Sequence, residues 1–355
     1  MQTTKRATIR QVAHDSGVSV QTVSRVINGR PDVAESTRLR VQQTIDALGF
    51  QPNAVARSLI GRRTHTIGVV GAAIHYFGPS STLAGIEQQA RESGLSVLLA
   101  LLPAPESQDI GPVLAELLGR QVDGIIWAVP QVGDNRRWLR EHPPLPAPIV
   151  LLTMPPEPDR AVVAVDNCAG GRLATEHLLA QGYRHIGLIT GPLSWWEARE
   201  RQRGWEEALL AAGLPPVAAQ IVEGDWGAAS GTRGFARLRA QFPAMDALFA
   251  SNDQMAQGVL HAAWEAGIGV PGDLGIVGFD DIPEAAYFIP PLTTVCQEST
   301  ALGGAAVRLL TTLLTAGPNA DGAEPPAVRM EPRLVVRQSS IRRAATAARP
   351  TGGDA

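Results

Sequence analysis

The stretch Val18–Arg30, VSVQTVSRVINGR, carries a glutamine, two arginines, three hydroxyls and an asparagine in thirteen residues. These side chains suit nucleic acid. The Gln21 amide matches the donor and acceptor that adenine presents in the major groove. The Arg25 guanidinium matches the paired acceptors of guanine, and Val20 offers a methyl contact to thymine. Ser19, Thr22, Ser24 and Asn28 suit phosphate oxygens, contacts that set position rather than sequence. A second candidate is the acidic pair Asp280-Asp281 in VGFDD. Adjacent carboxylates suit proton transfer in a catalytic site. They equally suit an Asp that caps a helix in a strand-to-helix loop.

Helices must position the first set. Thr8 and Gln11 have the Thr-x-x-Gln spacing of a capping box. Ile9, Val12 and Ala13 follow at helical spacing until Gly17 breaks the helix. Ser19 can cap a second helix with Val20, Val23, Val26 and Ile27 on its apolar side, ended by Asn28-Gly29-Arg30-Pro31. The spacing predicts a third helix from about Glu35 to Leu48, with Leu39, Val41, Ile45 and Leu48 apolar and a stop at Gly49. Helix, tight turn, helix, with a third behind, is the plan of a major-groove reader whose second helix presents its N-terminal residues to the bases. It is also the plan of a small scaffold with a polar surface. Beyond it, Ala54–Ile60 (AVARSLI) has room for about two helical turns, a length that is marginal alone in water.

The chain has 355 residues, 45% hydrophobic and 18% charged, which fits a folded protein of two or more domains. Its net charge of −3 is unevenly spread. Met1–Arg63 holds ten Lys/Arg against four Asp/Glu, a balance of +6, leaving −9 for the rest. A basic head on an acidic body fits a head that meets a polyanion, and fits a solvated basic arm. Cys168 and Cys296 make neither a disulfide framework nor a metal spacing, and the seven His lack H-x-x-x-H spacing. No apolar run approaches the roughly 20 residues of a membrane span. MQTTKRATIRQ has no apolar signal core, so a cytoplasmic setting is expected.

From Thr66, short apolar runs at 67–70, 96–100, 124–127, 149–152, 185–189, 246–249 and 274–277 alternate with helical patterns at 83–93, 171–181, 199–212 and 254–266. Such alternation implies α/β lobes with parallel sheets covered on both faces, and this many strands implies two lobes. The segment after Ser340 is expected to be disordered. Dinucleotide, P-loop and nucleophile-elbow motifs are absent from this α/β pattern, which speaks against an enzyme. The basic head speaks against a periplasmic sugar carrier.

The segments TIRQVAHDSGVSVQTVSRVINGRPDV, LGFQPNAVARSL and RTHTIGVV, followed by GLITGPLS, EGDW, SNDQMAQGVL, VGFDD and IPPLTTV, resemble in that order the lactose/galactose repressor family of bacterial transcription regulators. The resemblance runs from Thr8 to about Val336. It implies a helix-turn-helix head over residues 1–50, a hinge helix over 51–63, and a two-lobed effector-binding and dimerisation body over 64–340, with a tail at 341–355. Thr8 joins the DNA-contacting set. Asn53, Ala56 and Leu59 are expected in a hinge that folds when two subunits meet on operator DNA, Leu59 being the wedge in the minor groove. The lobes are expected to resemble periplasmic sugar-binding proteins, with Tyr76, Arg199, Trp226, Asn252 and Asp280 lining a cleft for a sugar effector, and Asp281 structural. The implied protein is a homodimeric repressor that reads a palindrome-like operator, needs no cofactor or metal, and is released by its sugar.

Three departures from the family pattern stand out. Ala34 occupies the start of the third helix, where Ser or Thr is usual, leaving Asp32 or Ser36 to cap it. Thr153 stands where such a cleft has a carboxylate. Trp195-Trp196 replace smaller residues, which points to more stacking and less charge in the cleft. The leucine-rich tail that makes tetramers has no counterpart after Ser340, so dimers are expected.

Overall fold

A computed structural model of the chain describes residues 7–27, 29–50, 63–141, 145–316 and 327–342. Asn28, Asn53, Ala56, Leu59 and the tail beyond residue 342 lie outside the described residues. The fold divides into two units, Met1–His65 and Thr66–Ala355.

The first unit contains α1 (Ile9–Asp15), α2 (Val20–Ile27) and α3 (Glu35–Leu48). The Gln11 amide donates to Thr8 Oγ1 at 3.3 Å, and the Thr22 amide to Ser19 Oγ at 3.1 Å, so both expected caps form. Gly17 makes the tight turn between them at φ +65°, where a side chain would be strained. Val12, Ala13, Val23, Val26 and Val41 form the core, with Ile27, Ile45 and Leu48 packed around it. Two apolar residues expected on that face are not in it: Val20 is 42% exposed and Leu39 56% exposed. A core this small covers only one narrow stripe of each helix. Ala34 begins α3 with no side-chain cap, because Asp32 turns instead to Arg25 at 3.5 Å.

The second unit begins with β1 (Thr66–Gly71), α4 (Phe77–Glu92), β2 (Ser96–Leu101), α5 (Gly111–Gly119), β3 (Gly124–Ala128), α6 (Trp138–Glu141), β4 (Ile149–Leu152) and β5 (Ala161–Val165). Then follow α7 (Asn167–Ala180), β6 (Ile186–Thr190), α8 (Trp196–Ala211), β7 (Ile221–Glu223), α9 (Ala228–Gln241), β8 (Ala247–Ala250), α10 (Asp253–Glu265), β9 (Gly275–Asp280) and β10 (Thr293–Cys296). The chain ends with α11 (Ser299–Ala316), β11 (Ala327–Met330) and β12 (Arg333–Val335). Two six-stranded sheets result, ordered β11-β5-β4-β3-β1-β2 and β12-β10-β9-β8-β6-β7. Val69 pairs with Leu99 and Ile126 in the first, and Leu188 with Ile221 and Phe249 in the second.

The inner strands β5, β6, β8, β9 and β10 are buried at every residue, as helices on both faces require. The strand pairs are parallel, as expected, except at one edge, where β12 runs antiparallel to β10. Only Glu331 and Pro332 separate β12 from β11, so no helix is available for a parallel return. The chain passes between the sheets three times, after β5, after β10 and after β11. Among the described residues no helix is long and apolar enough to cross a membrane.

Candidate functional site

A cleft of roughly 760 Å3, part of it open to solvent, lies at the carboxyl ends of strands from both sheets. Leu152 and Thr153 reach it from β4, Val165 from β5, Asn252 from the turn after β8, and Asp280 from the end of β9. This is where parallel α/β sheets bind ligands, because the loops there diverge from a rigid edge.

Arg201 is the charged centre of the cleft, and it is 4% exposed. Its Nε donates to Asn167 Oδ1 at 2.8 Å, and Nη1 donates to the Ser251 carbonyl and lies 3.6 Å from Asp280 Oδ1. The guanidinium also stacks 3.7 Å over the Phe279 ring. Gln297 Nε2 donates to Asp280 Oδ1 at 2.6 Å. Burial pushes the Asp280 carboxyl up to about 6 against the pull of Arg201 and Gln297.

Three rings form one wall. Trp195 meets Tyr76 edge-on at 5.9 Å and Trp226 at 5.7 Å. Trp226 lies flat against Gly191, where a Cβ would come within 2.1 Å of the indole. Its backbone is left-handed at φ 69°, as is that of Thr153 at φ 53°. Bulky and β-branched residues rarely adopt that region, and such strain collects at binding sites. Tyr76 Oη donates to the Asp225 carbonyl at 3.3 Å, which ties the first sheet's side of the cleft to the second's.

Tyr76, Trp226, Asn252 and Asp280 all line the cleft. Asn252 spends its amide on structure: Oδ1 caps α10 at the Met255 amide, and Nδ2 donates to the Trp226 carbonyl and Gln254 Oε1. Asp281 turns away and pairs with Arg337 at 2.7 Å. Of the two tryptophans only Trp195 lines the cleft, while Trp196 packs on the core of the first sheet.

Arg199 must be corrected. It is exposed and donates to the Leu193 and Ser194 carbonyls, outside the cleft. Two residues along a helix turn a side chain by about 200°, so Arg199 and Arg201 point oppositely. A usable signal was present in WWEARERQRGW: Ala198, Arg201, Trp205 and Ala208 share one helical stripe, all buried, and Arg199 does not belong to it. Glu197, Asn167 and Gln297 also line the cleft without having been singled out.

In the first unit, Val20, Gln21 and Arg25 are exposed on α2. Arg25 makes a solvent-exposed pair with Asp32, an interaction that yields easily to another anion. Thr8 and Ser19 are exposed at the caps of α1 and α2. Thr22 is half-buried with its hydroxyl 2.9 Å from that of Ser19, and Ser24 is half-buried beside Arg25. The exposed face of α2 and the cleft therefore belong to different units of one chain.

Residues 8–53 match the family model described as bacterial regulatory proteins, lacI family, and residues 175–340 match a periplasmic binding protein-like domain. Catabolite control protein A of Priestia megaterium is 33% identical over 335 residues, covering 94% of this chain and 99% of its own length. Among solved structures, the lac repressor dimer bound to operator and the anti-inducer ONPF superposes with a TM-score of 0.83 at 31% identity, over 95% of this chain and 100% of that one. The complex of the transcriptional regulator CelR with cellobiose gives 0.69 at 32% identity, over 94% of this chain and 100% of that one. The likeness runs through head and body alike, in the same order and over nearly the whole length, and so the chain belongs to the lacI family of bacterial regulatory proteins, the DNA-binding transcriptional regulators.

Proposed function

We propose that this regulator is a homodimeric repressor of carbohydrate-use genes, released when a sugar of glycoside type fills the cleft. The observation that carries the sugar reading is the buried Arg201–Asp280 pair beside the wall of Tyr76, Trp195 and Trp226. Charge-assisted hydrogen bonds from such a pair hold vicinal hydroxyls, and aromatic faces cover the C–H side of a sugar ring. The neighbour solved with cellobiose favours the same ligand class. Effector contacts are assigned to Tyr76, Arg201, Trp226 and Asp280, with Asn252 holding Trp226 in place. The carboxyls do no catalysis, since Asp280 is tied to Arg201 and Asp281 to Arg337.

The head, residues 1–50, reads half of a palindrome-like operator through Val20, Gln21 and Arg25, while Thr8, Ser19, Thr22, Ser24 and Asn28 grip the backbone. Residues 51–63 form the hinge, with Asn53, Ala56 and Leu59 in the minor groove. The body, residues 64–340, dimerises, and Trp264, Tyr287 and Ile289, exposed by 77%, 85% and 92%, supply apolar surface for it. The setting is cytoplasmic, with the protein on the nucleoid when bound to its operator. The sugar acts through its different affinities for the DNA-competent and released states. The test is a gel-shift titration of a palindromic operator against a sugar panel. A sugar that lowers affinity is expected, and a protein whose operator affinity no sugar changes refutes the reading. Gln21→Ala is expected to cost about 1–3 kcal/mol at one base-pair position. A uniform loss across operators would make Gln21 a phosphate contact instead.

A further inference from the structure

Glu197 sits in the first turn of α8, lines the cleft and is 8% exposed, yet its Oε2 has no hydrogen-bond partner. A buried acceptor left unpaired costs stability and calls for an explanation. Among the described residues no neighbouring donor is placed to pair with that oxygen. Arg201 turns Nε to Asn167 and Nη1 to the Ser251 carbonyl and Asp280. Arg136 directs Nη2 at the Val129 and Leu152 carbonyls, leaves Nε and Nη1 unpartnered and does not line the cleft, so it acts on Glu197 from behind. The Thr153 hydroxyl, which also lines the cleft, is likewise buried without a hydrogen-bond partner among the described residues.

We infer that Glu197 is a ligand-contacting specificity residue: its unpartnered oxygen takes a hydrogen from a hydroxyl or ammonium of the effector and turns away sugars that carry a carboxylate. The inference rests on the sugar reading and adds the charge of the sugar to it. Among the described residues the charged side chains lining the cleft are Glu197, Asp280 and Arg201, two carboxyls against one guanidinium. Asp280 already balances Arg201, and Arg136 does not line the cleft, so an anionic ligand meets Glu197 with no unbalanced cation among the described lining residues. In a low-dielectric cleft that repulsion is strong. Thr153 marks the same design, because a hydroxyl there leaves Glu197 as the carboxyl on that side of the wall. Burial holds the Glu197 carboxyl up to about 7, so a bound hydroxyl or ammonium donor draws it into the ionised form.

The experiment is titration calorimetry of the full chain and of Glu197→Gln and Glu197→Ala. The probes are glucose, glucosamine and glucuronate, galactose, galactosamine and galacturonate, and cellobiose with cellobionate. In the parent protein the neutral or amino member of a binding series should bind about tenfold or more tighter than the acid. Glu197→Gln should narrow that ratio about tenfold, while Glu197→Ala weakens the neutral sugar as well. Near pH 7 the binding heat of the parent should vary with the ionisation enthalpy of the buffer, because a proton leaves Glu197, and this dependence should vanish in Glu197→Gln. A cooperative melting transition in each variant, above the temperature of the titration, establishes that both are folded. An unchanged acid-to-neutral ratio in folded Glu197→Gln overturns the inference and leaves the sugar reading standing. Binding by none of the sugars overturns the sugar reading itself, and the inference with it.

Discussion

A Cβ placed on Gly171 would lie 2.1 Å from the carbonyl oxygen of Arg201. Helices α7 and α8 therefore touch backbone to backbone at the residue that carries the cleft's guanidinium. The same approach is made in reverse by Gly204, whose Cβ would fall 2.0 Å from the Cys168 carbonyl. Side-chain volume at either position would push α8 away from α7 and carry Arg201 off Asn167 and Asp280.

Gly171→Ala is expected to lower stability by about 1–3 kcal/mol, as overpacking of a closed core does. It should also weaken effector binding, although residue 171 does not line the cleft. Gly119→Ala is the control. A Cβ there meets nothing within 4 Å, so only helix propensity acts, and stability should rise slightly. Urea unfolding of both variants separates the two effects. Equal behaviour of the two variants would mean that the close approach has no energetic weight.

Arg199 and Arg201 should respond oppositely to truncation. Arg199→Ala loses two exposed bonds to carbonyls, so effector affinity and operator release should stay near those of the parent. Arg201→Ala strands Asp280 as a buried carboxyl without its cation, and breaking a buried pair costs about 3–5 kcal/mol. Effector binding should be lost, measured by calorimetry at a temperature where the melting curve still shows a folded protein. A loss of binding in Arg199→Ala with Arg201→Ala unaffected would reverse the assignment.

The elements whose local chemistry decides them were legible in the sequence. The helix caps at Thr8 and Ser19, the turn at Gly17 and the stop at Gly49 form where their residue types predicted. The inner strands β1, β3, β6, β8 and β9 are apolar runs and were equally readable. Less legible were elements whose signal is weak or shared. Strand β5 is a short apolar run, AVVAV, joined to α7 by Asp166 alone, and β12 is three residues long at an edge. Helices α4 and α7 begin several residues before their apolar patterns, because their first turns carry Gly78 and Pro79 in one and Asn167 and Gly170 in the other, which give no helical apolar period. The cleft was readable as a set of residue types at strand ends. The choice between two arginines two residues apart was not made correctly, because it depends on helical phase rather than on residue type.

Ala34 opens α3 in an extended conformation with no side-chain cap, so backbone donors at that helix start lack the partner that Ser or Thr supplies. Ala34→Ser is expected to stabilise the head by about 1 kcal/mol. Asp32 does not compete for the site, since it is engaged with Arg25. Hydrogen exchange on the α3 amides in the full chain reads the effect locally, and slower exchange in the first turn is the expected outcome. Unchanged exchange would show that solvent already satisfies those groups.

The buried carboxyls give the body a pH dependence of definite sign. Burial holds Glu197 up to about 7 and Asp280 up to about 6, and raises Asp253 well above the usual carboxylate range. A group whose pKa is higher when folded than when unfolded binds more protons in the folded state between the two values. Its contribution to stability is then full below the unfolded pKa and is lost as pH rises through the folded one. For Glu197 the window runs from its ordinary 4.5 to about 7, and the loss across it amounts to roughly 3 kcal/mol. Glu197→Gln removes the proton linkage and keeps the shape, and a neutral amide needs no burial of charge at high pH. The variant should therefore lie progressively above the parent in Tm as pH rises from 5 to 8. Taking the difference between the two proteins at each pH cancels the contributions of Asp280, Asp253 and the exposed groups. A difference that stays constant across that range would mean that Glu197 ionises in the folded protein as it does in water, and would remove the buried, unpartnered carboxyl on which the charge selectivity of the cleft depends.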